Sequence, residues 1–210
     1  MGIIHTLNKA LIAADDDYVC ASQSPAGAGN LLINGPETVS GVATFDTQRR
    51  VLFTFAADES NHTFVVYGTN QSGSSIQETV LGTTPGTVAT NQDFLTVTRI
   101  SIDHASTGAL TVGTNGVGST DWQSVDLMRQ PVNIGFQVDV SGTVNYTVEA
   151  TNTDIQNLAP GAYATAWAHV TVASQAVGQS AAWTDSIAYF RLTINSGTGT
   201  CALTYSQAGP

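Results

Sequence analysis

The chain has 210 residues, only 10% of them charged, with six Lys and Arg against 16 Asp and Glu for a net charge of -10. One lysine and five scattered arginines cannot build the basic surface that a phosphate backbone requires, which excludes nucleic acid as a direct partner. The length suffices for one large all-β domain or two smaller ones, each able to bury a core without covalent staples.

From the N-terminus, "MGIIHTLNKALIAADDDYVC" has an apolar patch interrupted by Asn8 and Lys9 and then three aspartates. It offers neither a continuous signal-type apolar core nor a span of about 20 apolar residues, so synthesis in a cytoplasm with no membrane partner is expected. "HTLNKALIAA" and the short piece around "TDIQNLAPG" are the two short helix candidates. Residues 1–27 read as an N-terminal arm or linker: a solvated acidic segment followed by Gly, Ser and Pro. Asp15, Asp16 and Asp17 are adjacent and point in different directions, unlike the alternating oxygen ligands of a calcium loop, so no metal is assigned to them and they read instead as candidate interface residues.

Strand signals then dominate. "RRVLFTFAA" (49–57), "TFVVYGT" (63–69), "SIQETVLG" (75–82), "FLTVTRISID" (94–103) and "ALTVGT" (109–114) are β-branched or aromatic runs bounded by turn residues. In the first, Val51, Phe53 and Phe55 share one face, which is the period of a half-buried strand. Arg49 and Arg50, the only basic pair, read as a hairpin or edge feature and as candidate interface residues. A boundary is expected in "STDWQSVDLMRQP", dividing a first domain, 28–126, from a second, 127–210.

The second half continues with "VNIGFQVDVSG" (132–142), "TVNYTVEATN" (143–152), "YATAWAHVTVA" (163–173), "SIAYFRLTIN" (186–195) and "TCALTYSQA" (200–208). The phrase "NSGTGTCALTY" echoes "VSGTVNYTVEA", and both place Gly and Ser between alternating strands. Each is expected to be a β-hairpin, with Phe190–Asn195 paired to Thr200–Ser206. "GTNQSG" (68–73) and "GTNGVG" (113–118) repeat the same turn chemistry. The pattern as a whole predicts an all-β fold of tandem antiparallel β-sandwich domains, immunoglobulin-like or jelly-roll-like, with an extended N-terminal segment.

Catalytic chemistry is not apparent. The carboxylates Asp58, Glu59, Asp93, Asp103, Asp126 and Glu149 form no recognisable pair, and the Ser- and Gly-rich loops lack a nucleophile elbow or a phosphate-loop lysine. His5, His62, His104 and His169 have no metal-ligand spacing and read as turn or surface residues. Cys20 and Cys201 match no redox or metal motif and read as two buried thiols, a bridge between the chain ends being the alternative. Trp122, Trp167 and Trp183 serve a core or a subunit interface, with a sugar-stacking platform as the competing use; Trp122 and Trp183, flanked by polar residues, are the candidate interface members. No enzyme, cofactor or metal is therefore expected.

Five segments, "GVATFDTQRRVLFTFA" (41–56), "HTFVVYGTNQSGSSIQETVLG" (62–82), "QDFLTVTRISI" (92–102), "TGALTVGTNGVGST" (107–120) and "FRLTINSGTGTCALTYSQAG" (190–209), resemble structural proteins of tailed-bacteriophage virions. The resemblance implies a non-enzymatic, symmetric building block of the head decoration or cement type, on the outer capsid surface. It would contact the major capsid protein and copies of itself, with tail, head-tail adaptor or head-fibre placement as the alternative. A receptor- or carbohydrate-binding module is the third reading.

Overall fold

The computed structural model describes residues 5–10, 13–128 and 132–208, and among them there is no α-helix. In chain order the strands are β1 (His5–Ala10), β2 (Asp15–Gln23), β3 (Gly29–Asn30), β4 (Thr38–Val39), β5 (Val42–Phe55), β6 (Thr63–Thr69), β7 (Ser75–Leu81) and β8 (Gly86–Ile102). They continue as β9 (Leu110–Ser119), β10 (Gln123–Ser124), β11 (Asn133–Ser141), β12 (Val144–Thr151), β13 (Trp167–Ala168), β14 (Gln179–Trp183), β15 (Tyr189–Gly197) and β16 (Thr200–Ala208). The protein is all-β, and its sheets are antiparallel. The two helix candidates are corrected: His5–Ala10 is a strand on the edge of β16, and the stretch after Asn152 is a series of turns.

Two compact units divide the chain. The first comprises Ala14–Val117 with Ala159–Tyr163, and the second the described residues of Met1–Ala13, Gly118–Leu158 and Ala164–Pro210. These limits differ from the divisions after residues 27 and 126 read from sequence. The N-terminal stretch set apart there as an arm contains β1 and β2, and Tyr18, Val19 and Cys20 are buried in the core of the first unit. Apolar side chains following three aspartates were enough to bring that segment into the fold. Its neighbour, 29–35, lies alongside it: the Gln23 side-chain amide donates to Leu32 O and accepts from Leu32 N, replacing a ladder bond pair, and Gly35 N donates to Val19 O.

In the first unit the strand order is β9-β5-β8-β6-β7. The face seen in "VLFTF" runs the length of β5, with Ala43, Phe45, Thr47, Arg49, Val51, Phe53 and Phe55 all buried, and only Gln48, buried as well, interrupts the alternation. Phe53, Phe55 and Phe64 pack as neighbouring rings with centroids 5.2–6.0 Å apart. Strands β6 and β7 form a true hairpin across Asn70–Ser74, so "GTNQSG" is the connector that turn chemistry predicts. "GTNGVG" is not a turn; it lies inside β9.

The second unit holds two sheets, one ordered β1-β16-β11-β14 and the other β13-β12-β15, with β10 and the last residues of β9, Gly118 and Ser119, also against β15. Phe136, Val138, Trp183, Cys201 and Leu203 from the first sheet and Tyr146, Val148, Phe190, Leu192 and Ile194 from the second form one core.

The expected hairpin of β15 with β16 is absent. Strand β15 pairs with β12, whereas β16 pairs with β1 and β11, so "SGTGT" carries the chain from one sheet to the other. "VSGTV" does the same between β11 and β12. The two crossings lie against each other: Thr198 N and Gly199 N both donate to Thr143 O, at 3.1 and 3.0 Å, and Gly142 approaches Gly199 closely. A Cβ on Gly197, whose φ is +111°, would collide with Thr143 O; one on Gly199 would collide with Ser141 O and approach Val144 Cγ2 to 2.7 Å. The recurrent phrase therefore bends the chain, but out of its sheet rather than back along it.

Two predictions follow from this packing. Gly197→Ala, which meets both backbone strain and a fixed carbonyl, is expected to lower stability by about 2 kcal/mol or more. Gly73→Ala, at φ +83° with open space around the added Cβ, should cost only about 1 kcal/mol; urea midpoints compare the two. The thiols supply the second test. Cys20 and Cys201 are free and buried, and burial pushes their pKa values from 9.0 up to about 12 and about 11. A thiol reagent at pH 8 should leave both untouched until denaturant is added. Because the folded values are raised, this contribution to stability is intact below pH 9 and declines as the pH rises toward 11–12.

Candidate functional site

The residues singled out by sequence as interface candidates separate into distinct environments. Asp15, Asp16 and Asp17 open β2, with their carboxylates within 4.8 Å of one another. Asp17 N donates to Asp15 Oδ1, and the Asp17 carboxyl is held above its ordinary range by its hydrogen bond to Asp15, by burial and by the neighbouring negative charges. Trp122 is half-buried under the guanidinium of Arg191, which lies 4.5 Å from its ring centroid and is held by Glu149 Oε2 at 3.0 Å.

Arg49 and Trp183 are corrected. Arg49 is 0% exposed, because the period of β5 places it on the same face as Val51 and Phe53. It forms a bidentate pair with Asp46, Nε to Oδ1 at 2.6 Å and Nη2 to Oδ2 at 2.9 Å. Neither a hairpin nor an edge feature, it is an internal strut of β5; Arg50, on the opposite parity, is partly exposed and lies 3.6 Å from Asp93. Trp183 is buried in the core of the second unit, edge-on to His169 with centroids 4.5 Å apart. Its apolar bulk won over its polar flanks. With Trp183 buried and Trp122 covered by Arg191, the three tryptophans do not form a shared exposed stacking platform; Trp167 is the exposed one.

His169 opens a turn, as expected, its O accepting from Val172 N, but its side chain is buried rather than at the surface. Nε2 lies 3.1 Å from Ala182 O, and Nδ1 accepts from Thr171 N, a pattern that fits the neutral Nε2–H tautomer. Buried Glu78 is likewise consumed by structure, accepting from Asn91 N, Asn91 Nδ2 and Gln92 N.

One constellation was passed over at the level of sequence. His62 precedes β6, and Asp103 and His104 follow β8; beyond the last β6–β8 pair, Phe64 opposite Ile102, Asp103 N donates to Thr63 O at 3.3 Å and the His62 and His104 ring centroids lie 5.7 Å apart. Thr63 holds Asp103 Oδ2 through its N–H at 3.0 Å and its hydroxyl at 2.6 Å. Asp103 Oδ1 faces both imidazoles, 3.5 Å from His62 Nδ1 and 3.2 Å from His104 Nδ1. Behind His62, Glu59 is 1% exposed: Oε1 accepts from Thr107 N and Gly108 N, while Oε2 lies 3.7 Å from His62 Nε2. Burial pushes the Asp103 carboxyl up, but the Thr63 donors and His104 outweigh it and hold the group well below the ordinary carboxylate range. Residues 42 positions apart in sequence carry no joint signal until the register of β6 on β8 is known.

No protein-family model matches the chain, and neither the curated proteins nor the solved structures give a match. Among the described residues no helix is long and apolar enough to cross a membrane.

The Arg49–Asp46 pair yields a prediction with an internal control. Asp46→Ala removes the carboxylate from a fully buried guanidinium and is expected to cost about 3 kcal/mol, the low end for such pairs because Asp46 is a quarter exposed. Arg49→Met, which removes the buried charge itself, should cost less, and adding it to Asp46→Ala should recover stability; urea unfolding of the three variants measures this.

Proposed function

We propose that the chain is a non-enzymatic virion structural protein, a capsid decoration or cement protein whose tandem β-sandwiches bridge neighbouring major capsid subunits on the outer surface. Its resemblance to tailed-phage virion proteins supplies the class. The observation that carries a docking role is the link from β13 to β14. Within eleven residues, Trp167, Val170 and Val177 are all exposed, Val170 at 91%. Met128, 91% exposed in the segment before β11, adds a further large apolar side chain. Contacts of this kind, each modest, gain strength when many copies engage a lattice at once.

The acid–base residues support a structural reading in their own way. Glu78 holds the backbone of β8 at Asn91 and Gln92, Glu149 holds Arg191 and Thr193, and Asp46 neutralises Arg49. Each of these carboxylates has a structural partner.

Capsids assembled without this protein, mixed with the purified chain, should take it up in saturable, symmetry-related positions visible in averaged electron density. Met128→Asp combined with Val170→Asp should reduce occupancy at least tenfold with the melting temperature unchanged. Binding confined to tails, or absent from capsids, would overturn the placement.

A further inference from the structure

We propose that His62, Asp103 and His104 form a binding site for a borderline divalent transition metal, zinc foremost, with Glu59 as the residue that orients His62. The donor set is two imidazoles and one carboxylate, and one donor atom from each residue lies within 4.8 Å of the others. Bond lengths of about 2.0–2.2 Å in a tetrahedral zinc site put neighbouring donors about 3.3–3.5 Å apart. The two separations from Asp103 Oδ1, 3.5 and 3.2 Å, match that spacing. Two imidazoles favour zinc, nickel or copper over calcium or magnesium, which take oxygen shells.

An independent observation points to a missing ligand. Glu59 Oε2, His62 Nδ1 and Asp103 Oδ1 are buried atoms without a well-formed hydrogen bond, their polar neighbours being one another and the His62 and His104 rings at 3.2–3.7 Å, and all three belong to this one cluster. Leaving a buried polar atom unsatisfied is costly, and a cation between Asp103 Oδ1 and His62 Nδ1 removes two of the three deficits. The third follows from the second. With Nδ1 on the metal, His62 carries its proton on Nε2, the nitrogen that faces Glu59 Oε2 at 3.7 Å, and a shift of about half an ångström on binding completes the carboxylate–histidine–metal arrangement that fixes ligand orientation. Glu59 is itself anchored by the Thr107 and Gly108 N–H groups. The His104 side chain is 72% exposed, so the ion has a route in and His104 has freedom to close on it. A bound ion would clip the turn before β6 to the segment after β8, and water would complete its shell.

The site differs from the Asp15–Asp17 group, which offers only carboxylates and has no buried donor lacking a partner. The full chain, stripped with a chelator and dialysed, is titrated with zinc against a chromophoric indicator. One equivalent should bind with micromolar or tighter affinity, raising the melting temperature. His62→Ala with His104→Ala should weaken binding at least 100-fold and abolish the thermal shift, circular dichroism confirming that the variant is folded. Glu59→Gln keeps the ligands and should weaken binding 10- to 100-fold; Asp15→Asn, Asp16→Asn and Asp17→Asn together should leave it unchanged. Absence of zinc uptake, or uptake that survives loss of both histidines or disappears with the three aspartates, would overturn the site. Unchanged affinity in Glu59→Gln would overturn the positioning role of Glu59.

Discussion

A single carbonyl, Thr143 O, governs the architecture of the second unit. It receives two N–H groups, from Thr198 and Gly199, and so joins the crossing between β11 and β12 to that between β15 and β16. Each crossing moves the chain from one sheet to the other, and a strand that leaves its sheet abandons ladder partners for its backbone at the point of departure. Buried backbone groups must find replacements. Here the two departures supply one another, and that mutual arrangement requires the carbonyl to approach within reach of residues that lack a Cβ. The pairing of β12 with β15 and of β11 with β16 follows from it, as does the shared core between the sheets.

The first unit solves a different problem. Its long strands β5 and β8 pair over most of their length but with shifts of register around Arg49 and Arg50. Polar side chains take over where the ladder is interrupted: Thr90 Oγ1 accepts from Val51 N and donates to Gln92 O, and Glu78 binds the N–H groups of Asn91 and Gln92. The buried Arg49–Asp46 pair lies in the same region. Carboxylates and hydroxyls inside this unit therefore complete the hydrogen bonding of irregular strands, a use that requires no reacting substrate.

Strand positions were largely legible in the sequence because alternation is a local property. "TFVVYGT" begins and ends with β6, and the runs at 132–142, 143–152 and 200–208 contain β11, β12 and β16. Pairing was not legible. A strand, a Gly-Ser turn and another strand read identically whether the second returns beside the first or crosses to a facing sheet, so the hairpin expectation for 190–206 had no local signal to correct it. The run at 163–173 failed for another reason: His169 N bonds to Val148 O and Val172 N to His169 O, turning the chain after only two strand residues, Trp167 and Ala168. Arg49, by contrast, was recoverable, since extending the Val51–Phe53–Phe55 face by two residues reaches it. Charge prompted the surface assignment, and strand parity overruled it.

The histidine–carboxylate constellation shows how pairing creates chemistry that composition conceals. His62 and Asp103 each look like ordinary turn residues, one before a strand and the other after one. Antiparallel register makes the residue that enters β6 a neighbour of the residue that leaves β8, and the Thr63 donors then fix the carboxylate between two rings. Glu59 arrives from the preceding turn, whose shape is set by His62 N donating to Glu59 O and by Glu59 N donating to Thr83 O. A regular hydrogen-bond network would have directed each of these donors and acceptors to a protein partner, as it does for Glu78 and His169. At this strand end the backbone contacts are satisfied while three side-chain atoms are not, and the same geometry that leaves them unsatisfied sets two of them at the separation of ligands around one ion.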